Sequence, residues 1–412
     1  MTPLFDDGEI QFDIYAKTNA KKELNIQIYD NDTLIVEEKT WFEHFMSKKI
    51  KIWNIKIFET NLHHYGKSWT PESPFLYDVV FEELVDGVVV DRVKSYFGMR
   101  KIHSENGMTY LNNRPYYFKL VLDQGYFPKS LMTAPSDEDL LKDITLAKEM
   151  GFNGCRKHQK VEEARFMYHA DRLGYLIWTE LPSTAIYDTK YIPQIVNEWM
   201  RIIQRDYNSP SVVSWVPLNE SWGVANINQD VLQQNYSLAL YHLAKSMDST
   251  RFVISNDGWE QTTTDLCAIH NYAHGSKDEL KKQQQFEESL KTKEAILNYY
   301  PAHRNIYAQG FKHQGEPILL TEFGGISFNG SDKNGWGYTS VLKEQDFLNE
   351  YKRLITNIAD SEIIAGYCYT QLTDVMQEVN GLLKYNREPK TDLTKIKEIN
   401  DLAGFKLTKR LD

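Results

Sequence analysis

The chain has 412 residues, of which 42% are hydrophobic and 25% are charged, so it is long enough for two or three globular domains and is neither disordered nor collagen-like. Its formal net charge of −10 disfavours nucleic acid and anionic membranes as partners, and no apolar run reaches the ~20 residues of a membrane helix. The first residues lack the basic and apolar regions of a secretory signal, which predicts a cytoplasmic protein.

Cysteine and aromatic residues give two further indications. Cys155, Cys267 and Cys368 are widely separated and lie in apolar stretches, which predicts buried reduced thiols rather than a zinc site. Aromatic residues make up 13% of the chain, with 9 Trp and 25 Tyr. Because the apolar faces of sugars dock on aromatic rings, this content hints at a carbohydrate ligand; the alternative is a Tyr-rich core.

Residues 1–97 have the pattern of a small antiparallel β-sandwich. Segments 10–15, 24–29 and 50–57 alternate apolar and polar residues with period two, as half-buried strands do. Segments 75–81 and 88–93 flank Asp86 and Gly87, which predicts a β-hairpin. No cluster of catalytic residue types occurs here, so we expect a packing or spacer role.

From Gly98 to the end of the chain, short apolar runs alternate with amphipathic helical patterns. The eight apolar runs are residues 116–122, 152–157, 175–179, 212–218, 252–255, 266–269, 318–321 and 363–370. The helical patterns are residues 137–150, 162–173, 192–206, 229–247 and 341–358. Ser136 is expected to cap the first helix, and Gly151 and Gly174 lie where helices should end. The pattern predicts an α/β fold, a (β/α)8 TIM barrel over residues 98–412. A doubly wound open sheet is the alternative, but no Gly-rich phosphate loop follows any run.

In a TIM barrel the active site lies at the C-terminal ends of the strands, and polar residues follow all eight runs. They are Asp123, Arg156, His158, Glu180, Asn219, Glu220, Asn256, Asp257, Trp259, His270, Tyr272, Glu322, Gln371 and Asp374. Each alone could be a satisfied polar group at a strand end. Glu220 and Glu322 stand out, because paired carboxylates hydrolyse glycosidic bonds, with retention at a separation of ~5–5.5 Å and with inversion at ~6.5–9.5 Å. Arg156 is the nearest cation expected to keep one of the two ionised.

Several motifs in order along the chain carry a family resemblance. They are residues 69–77, 96–102, 116–182 (especially 122–126 and 151–160), 214–222 and 321–324. Together these motifs resemble glycoside hydrolase family 2, the β-galactosidase and β-glucuronidase family, over nearly the whole chain. The resemblance implies that the sandwich is immunoglobulin-like and that the barrel is catalytic.

The resemblance also implies residue roles. Glu220 would be the acid/base and Glu322 the nucleophile of a retaining double displacement. Asn219 would bind the sugar 2-hydroxyl, Tyr272 would lie beside the nucleophile, and Arg156 would support its charge. The other predicted substrate-binding residues are Asp123 and His158 for hydroxyl groups, Trp259 and Trp336 as ring platforms, and His270.

The sequence departs from the family pattern in three ways. Members normally begin with a jelly-roll sugar-binding domain, which we expect this chain to lack. Uronate-specific members resemble one another in an Asn-x-Lys before the glycine that follows strand eight, whereas this chain has Glu378, Val379 and Asn380 there. A neutral sugar is therefore expected, with β-galactoside ahead of β-mannoside or β-glucoside. The metal ligands of some β-galactosidases have no match after Glu180, so we predict no metal and no other cofactor.

Two other functions stay open at this point. The first is a carbohydrate-binding or scaffold protein whose barrel is inactive because the family's first domain is missing. The second is a metal-dependent hydrolase that uses His158, His270 and His274, although these lack the HxH spacing of such sites. A carbohydrate is the predicted partner in the favoured reading, and a homo-oligomer is left open.

Overall fold

The computed structural model describes residues 1–17, 20–53, 67–328 and 335–408. The chain begins with two antiparallel sheets that face each other as a β-sandwich, with strand orders β1-β2-β5 and β4-β3-β6-β7. The strands are β1 (Thr2–Leu4), β2 (Glu9–Tyr15), β3 (Lys22–Asp30), β4 (Thr33–Phe42), β5 (Phe45–Lys51), β6 (Tyr77–Val85) and β7 (Val88–Phe97). Strand β5 covers the start of the predicted strand 50–57, whose residues 54–57 lie outside the described residues.

The predicted hairpin is confirmed. Strands β6 and β7 pair up to Val85 and Val88. Asp86 and Gly87 between them both lie in the left-handed region, with φ of 51° and 75° respectively, as a two-residue type I′ turn requires. Inside the sandwich, Tyr77 stacks on the ring of Phe97 at a centroid distance of 5.3 Å.

A parallel barrel follows a small three-stranded sheet made of β8 (Ile102–Glu105), β9 (Met108–Leu111) and β10 (Arg114–Pro115). The barrel strands within the described residues are β11 (Phe118–Asp123), β12 (Gly154–Lys157), β13 (Leu176–Glu180), β14 (Val212–Val216), β15 (Phe252–Val253), β16 (Cys267–His270), β17 (Ile318–Glu322) and β20 (Ile364–Tyr369). Their order is β15-β14-β13-β12-β11-β20-β17-β16. The Asp265 N–H donates to the Val253 carbonyl (2.9 Å) where the two ends of the sheet meet. The predicted TIM barrel behind a sandwich is confirmed, and each barrel strand falls on one of the eight predicted runs.

Helices cover the outside of the barrel. They are α1 (Asp137–Glu149), α2 (Ala164–Leu173), α3 (Ile192–Asp206), α4 (Val231–Met247), α5 (Leu280–Ser289), α6 (Lys293–Leu297), α7 (Glu344–Asp360) and α8 (Leu393–Thr408). A short parallel pair, β18 (Ile326–Phe328) and β19 (Thr339–Val341), lies in the connection after β17. Ser136 caps α1 as predicted, because its Oγ accepts the Asp139 N–H. Gly174 ends α2 with φ 68°, a left-handed conformation that suits glycine. None of the described helices is long and apolar enough to cross a membrane.

The sandwich packs against the N-terminal end of the barrel. The Trp69 indole N–H donates to the Asp171 carbonyl (2.7 Å), and Tyr96 Oη donates to Asp171 Oδ2 (2.9 Å). The Arg100 guanidinium donates to the carbonyls of Pro210 and Val212, both at 3.1 Å. Because these partners precede barrel strands or begin one, the sandwich leaves the C-terminal ends of the strands uncovered by this contact.

Candidate active site

Arg156 on β12 is the centre of a charged cluster at the C-terminal ends of the strands. Its fully buried guanidinium donates to Glu322 Oε1 (2.8 Å), Glu180 Oε2 (2.7 Å) and Asn219 Oδ1 (2.6 Å). Its Nε also lies 3.2 Å from Asp257 Oδ2. Burial opposes the charge, but these carboxylates outweigh it and raise the pKa of Arg156 well above its usual range. Arg156 is therefore a permanent cation that three carboxylates share.

Glu322 ends β17 with its carboxylate held from several sides. Tyr272 Oη donates to Oε2 (2.6 Å) and Arg156 donates to Oε1. The side chain is only 6% exposed. Burial alone would favour the neutral acid, but the charges of His270 and Arg156 and the bond from Tyr272 outweigh it and lower the pKa of Glu322. Glu322 is thus an ionised carboxylate at neutral pH.

Glu220 follows β14 on a turn with an unusual backbone. Glu220 and Ser221 are consecutive non-glycine residues in the left-handed region, with φ of 52° and 58°. Such a conformation costs L-residues about 1–2 kcal/mol each, so surrounding contacts must stabilise it. One of these contacts is the bond from the Glu220 N–H to the Asp257 carbonyl (2.8 Å). The turn brings one carboxylate oxygen of Glu220 within 4.8 Å of one from Glu322.

His270 connects the two carboxylates. Its Nδ1 lies 2.8 Å from Glu220 Oε1, and its Nε2 lies 3.0 Å from Asp257 Oδ1 and 3.5 Å from Glu322 Oε1. Burial opposes a charged imidazole, but the charge of Glu322 and the bonds to Asp257 and Glu220 outweigh it and raise the pKa of His270 to about 10. At neutral pH, His270 is therefore an imidazolium that donates from both nitrogens.

His158 also lies in this cluster. Its side chain is 19% exposed, and its Nδ1 lies 3.2 Å from Glu180 Oε1. Burial opposes protonation of the ring, but the charge of Glu180 outweighs it and raises the pKa of His158. The imidazole is thus the exposed edge of a buried ion-pair network, from which it can meet a ligand.

Asp123 was expected to bind sugar hydroxyls, and the structure places it in a neighbouring buried ion pair. It is 2% exposed, and its carboxylate accepts from Lys157 Nζ (2.8 Å) and from the Gly125 N–H (2.7 Å). Burial opposes its charge, but Lys157 outweighs it and lowers the pKa of Asp123. Both carboxylate oxygens are thus engaged within the protein, and the hydroxyl-binding role stays a prediction.

Aromatic rings line the side of the cluster beyond Glu322. Tyr338 stacks face to face on Tyr272, with centroids 3.5 Å apart and planes 6° apart. Trp336, 48% exposed, meets the edge of Tyr338 at 5.6 Å. On the other side, Trp259 contacts His270 edge to face at 5.6 Å, and its buried indole N–H has no acceptor among the described residues. Trp259 therefore contacts the cluster at His270, whereas Trp336 is connected to it through Tyr338, and the role of both as ring platforms stays a prediction.

Sequence reasoning missed Tyr338. Its ring stacks on Tyr272, which donates to Glu322, and burial followed by the charges of Glu322 and Glu220 raises the pKa of its phenol. The signal available was the spacing of Trp336 and Tyr338 around a single glycine in the segment after the seventh barrel strand.

A polar network lies near Tyr338, after the first and eighth barrel strands. The Gln124 amide donates to Glu378 Oε2 (3.0 Å) and to Gln371 Oε1 (2.9 Å). The Asn380 amide donates to Glu378 Oε1 (3.1 Å). Glu378 also contributes to the raised pKa of Tyr338, after burial and the charges of Glu322 and Glu220. Hydrogen bonds thus hold the Glu378 carboxylate in place at this side of the site.

One trio of donors among the described residues has the spacing of a metal site: Glu220, His270 and Glu322, with ligand atoms within 4.8 Å of one another. A ligating histidine must be neutral, whereas the raised pKa of His270 keeps its ring protonated. His274, which the metal-hydrolase alternative requires, bonds instead to the Gly324 carbonyl (2.8 Å). A metal here would have to displace a strongly held proton from His270, and a metal-free site stays our prediction.

Comparisons with known proteins agree on the family. The family profile described as "Glycosyl hydrolases family 2, TIM barrel domain" matches residues 102–403, and "Glycosyl hydrolases family 2" matches residues 1–100. The β-galactosidase of Alteromonas mediterranea is 24% identical over 100% of this chain and 39% of its own length. That of Leuconostoc mesenteroides is 26% identical over 83% of this chain and 32% of its own length. The chain therefore spans less than half the length of these curated relatives.

Solved structures share the fold. The apo structure of Bacteroides uniformis β-glucuronidase 3 aligns with a TM-score of 0.74 and 17% identity over 97% of this chain and 50% of that one. A galacturonate-bound GH2 β-galacturonidase from Eisenbergiella tayi aligns with a TM-score of 0.72 and 17% identity over 97% of this chain and 70% of that one. With its barrel and its sandwich each matched by a profile of the same family, the chain belongs to glycoside hydrolase family 2.

Proposed function

We propose that this chain is a retaining β-glycosidase that hydrolyses a neutral β-glycoside, with a β-galactoside favoured. Glu220 is the acid/base and Glu322 the nucleophile. The observation that carries the proposal is that one oxygen of Glu220 lies within 4.8 Å of one oxygen of Glu322 while the two carboxylates have different surroundings. Glu322 is buried among cations and a phenol, whereas the Glu220 side chain is 23% exposed.

The spacing supports retention of configuration. An inverting enzyme holds its carboxyl groups ~6.5–9.5 Å apart so that a water molecule fits beside the sugar. One oxygen of Glu220 lies within 4.8 Å of one oxygen of Glu322, which is closer to the ~5–5.5 Å of a direct displacement than to the inverting separation. The nucleophile then attacks the anomeric carbon itself.

The surroundings support the division of roles. In the first step, the ionised Glu322 carboxylate forms a bond to the anomeric carbon, while Glu220 gives its proton to the departing glycosidic oxygen. In the second step, Glu220 takes a proton from water, whose oxygen attacks the anomeric carbon and releases Glu322. His270 occupies Glu220 Oε1, and Oε2 accepts no hydrogen bond from the described residues, so Oε2 is available to carry this proton.

Asn219 is suited to the sugar 2-hydroxyl. Its side chain is 1% exposed and its Oδ1 is taken by Arg156, so the amide nitrogen is the group left to donate to a ligand. A donor to the 2-hydroxyl that binds more tightly in the transition state accelerates the reaction. Asn219→Ala should therefore penalise 2-deoxy substrates far less than their parents, and a uniform penalty would remove this role.

The Glu378 carboxylate at the side of the site supports a neutral sugar as the substrate. Glu378, held by Gln124 and Asn380, would repel the carboxylate of a uronic acid and accept hydrogen bonds from hydroxyl groups. Among the curated relatives are β-galactosidases, and this supports a galactoside. The uronidase structures share 17% identity, a likeness that speaks only for the fold.

A panel of nitrophenyl glycosides tests the proposal. The β-galactoside should be cleaved faster than the β-mannoside, β-glucoside and β-glucuronide, and NMR should detect the β-anomer of the sugar first. Early α-anomer would contradict retention, and fastest cleavage of the glucuronide would contradict a neutral substrate. A 2-deoxy-2-fluoro glycoside should label Glu322, and Glu322→Gln should abolish both labelling and turnover; labelling elsewhere would reassign the nucleophile.

We also infer that the protein works in the cytoplasm. Cys155, Cys267 and Cys368 are all buried free thiols, which supports a reducing compartment. We expect all three thiols to react with a thiol reagent only after the protein has been unfolded.

A further inference from the structure

The turn that carries Glu220 is held in its left-handed conformation by a cluster behind it. Ser221 Oγ donates to Glu260 Oε2 (2.6 Å) and accepts from Asn256 Nδ2 (3.0 Å). The Ser221 N–H donates to Asn256 Oδ1 (3.0 Å). The Glu220 N–H is bound by the Asp257 carbonyl. The segment from Asn256 to Glu260, which follows β15, therefore grips both residues of the strained turn.

Glu260 is an unusual residue for this position. It is 3% exposed, and its φ of 49° is itself left-handed. A buried carboxylate is costly unless it is paired, and its cation is Arg304, whose Nη1 lies 3.2 Å from both carboxylate oxygens. Arg304 is 40% exposed and comes from the segment before β17. The pair thus delivers a charge-assisted bond to the Ser221 hydroxyl, stronger than a neutral acceptor would give.

We propose that Glu260, held by Arg304, is a positioning residue that acts through Ser221 to fix the Glu220 carboxylate where it transfers its proton. The inference rests on the proposed function, because it takes Glu220 as the acid/base. Glu260 does not itself reach the reacting atoms in this arrangement, since the partners of its carboxylate among the described residues are Ser221 and Arg304.

The physical reason is the sensitivity of proton transfer to distance. A general acid works only within about 2.6–3.2 Å of the atom that it protonates, and a misplacement of about 1 Å can cost roughly 10²-fold in rate. A turn with two left-handed residues relaxes readily once its bonds are weakened, and the Glu220 side chain moves with it. Loss of the Glu260 carboxylate should therefore weaken proton donation by Glu220 rather than substrate binding.

The experiment measures kcat/KM on aryl glycosides of the sugar that the panel selects, with leaving groups from phenol to 2,4-dinitrophenol. Proton donation matters for phenol and hardly for dinitrophenol. Glu260→Gln and Ser221→Ala should each lower kcat/KM by about 10–100-fold on the phenyl glycoside and by less than about 3-fold on the dinitrophenyl glycoside. The double variant should lose no more than the worse single one, because both act through one bond.

Glu82→Gln is the matched control. Glu82 in the sandwich is 6% exposed and is bonded to one partly exposed arginine, Arg92 (2.8 Å), and to Asn25 (3.2 Å). This variant imposes a similar structural loss far from the barrel mouth and should leave the leaving-group dependence unchanged.

The outcomes separate the two proposals. Equal losses on all leaving groups, or no loss, in Glu260→Gln and Ser221→Ala would overturn the positioning role. If Glu260→Gln fails to fold, Ser221→Ala decides. Glu220→Ala belongs in the same series: if it shows no leaving-group dependence, or the unmodified chain cleaves none of the glycosides, the proposed function itself fails. If Glu220→Ala shows the dependence and the other two do not, only this inference fails.

Discussion

The two ends of the barrel each bury an arginine, and they use it differently. At the N-terminal end, Arg251 pairs with a single carboxylate, Asp248 (2.7 Å), and gives its other N–H groups to backbone carbonyls. Those carbonyls belong to Tyr207, Ser209 and Val212. At the C-terminal end, Arg156 is shared by three carboxylates. We call the N-terminal end the balanced end, because one arginine pairs with one carboxylate there. We call the C-terminal end the crowded end, because three carboxylates surround one guanidinium, which cannot neutralise all of them.

The difference shows in what each carboxylate is free to do. Asp248 is 1% exposed and accepts bonds from Arg251, from the Trp215 indole (2.9 Å) and from Thr250, so its oxygens are fully occupied. Burial opposes its charge, but Arg251 outweighs it and lowers the pKa of Asp248. Glu322 is ionised in the same way but stands beside a second carboxylate, Glu220. Ionisation alone therefore does not distinguish Glu322 from Asp248; the second carboxylate beside Glu322 does.

The largest effect is expected when the arginine of the crowded end, Arg156, is replaced. Arg156→Lys keeps one charge but loses the planar fork that reaches Glu322, Glu180 and Asn219 together. We expect kcat/KM on the best nitrophenyl glycoside to fall roughly 10²–10³-fold, since a preorganised donor set is lost. Arg251→Lys is the control, which should lower the melting temperature while kcat/KM stays within about 3-fold. Similar kcat/KM losses in both variants would show that the two ends do not differ in the way described.

The next effect is on stability at the balanced end. Asp248→Asn leaves Arg251 buried without its carboxylate, and breaking a buried pair costs about 3–5 kcal/mol. Urea unfolding should show a loss of that size in the free energy of unfolding, with kcat/KM of the folded enzyme unchanged. A large fall in kcat/KM would mean that this end also supports the chemistry.

A pH series distinguishes the ends without removing either arginine. The folded-state pKa of His270 is raised to about 10, against about 6.5 in the unfolded chain, so its stabilising contribution is complete below about 6.5 and is lost as the pH rises towards 10. Wild type should lose up to about 1.4 kcal/mol per pH unit across this window relative to His270→Gln. Asp248 has a lowered pKa, so its contribution to the free energy of unfolding is constant across this pH window and is lost only in acid. Equal slopes for wild type and His270→Gln would contradict an imidazolium between the carboxylates.

The same contrast explains what the sequence could predict. Strand periodicity located the barrel strands, and a parallel barrel gathers strand ends at one mouth, so Arg156, Glu220 and Glu322 could be found together. Asp123 has the right residue type and position for a hydroxyl ligand. Its actual partner, Lys157, depends on the register in which β11 pairs with β12, and strands buried on both faces lack the alternating pattern that would specify that register.

The positioning cluster was out of reach for a different reason. Ser221 and Glu260 lie in turns with left-handed residues, and hydrophobic periodicity carries no information about such turns. Their hydrogen bond joins segments that follow two different strands, so neither residue stands out in its own stretch of sequence. Tyr338 was missed likewise, because its stacking on Tyr272 depends on how the connection after β17 folds back.

The smallest expected effect compares one phenol at each end. Tyr272 donates to Glu322 (2.6 Å) at the crowded end, and Tyr96 donates to Asp171 (2.9 Å) at the balanced end. A hydrogen bond to a charged group is worth about 1.5–3 kcal/mol, so Tyr272→Phe should lower kcat/KM by about 10–150-fold, while Tyr96→Phe should lower only the melting temperature. Asp171 has its pKa raised to about 6 by burial, so at neutral pH it still carries charge for Tyr96 to stabilise. If Tyr96→Phe lowered kcat/KM as much as Tyr272→Phe, the sandwich contact would be coupled to the barrel mouth, and the separation between a structural and a reactive end would be wrong.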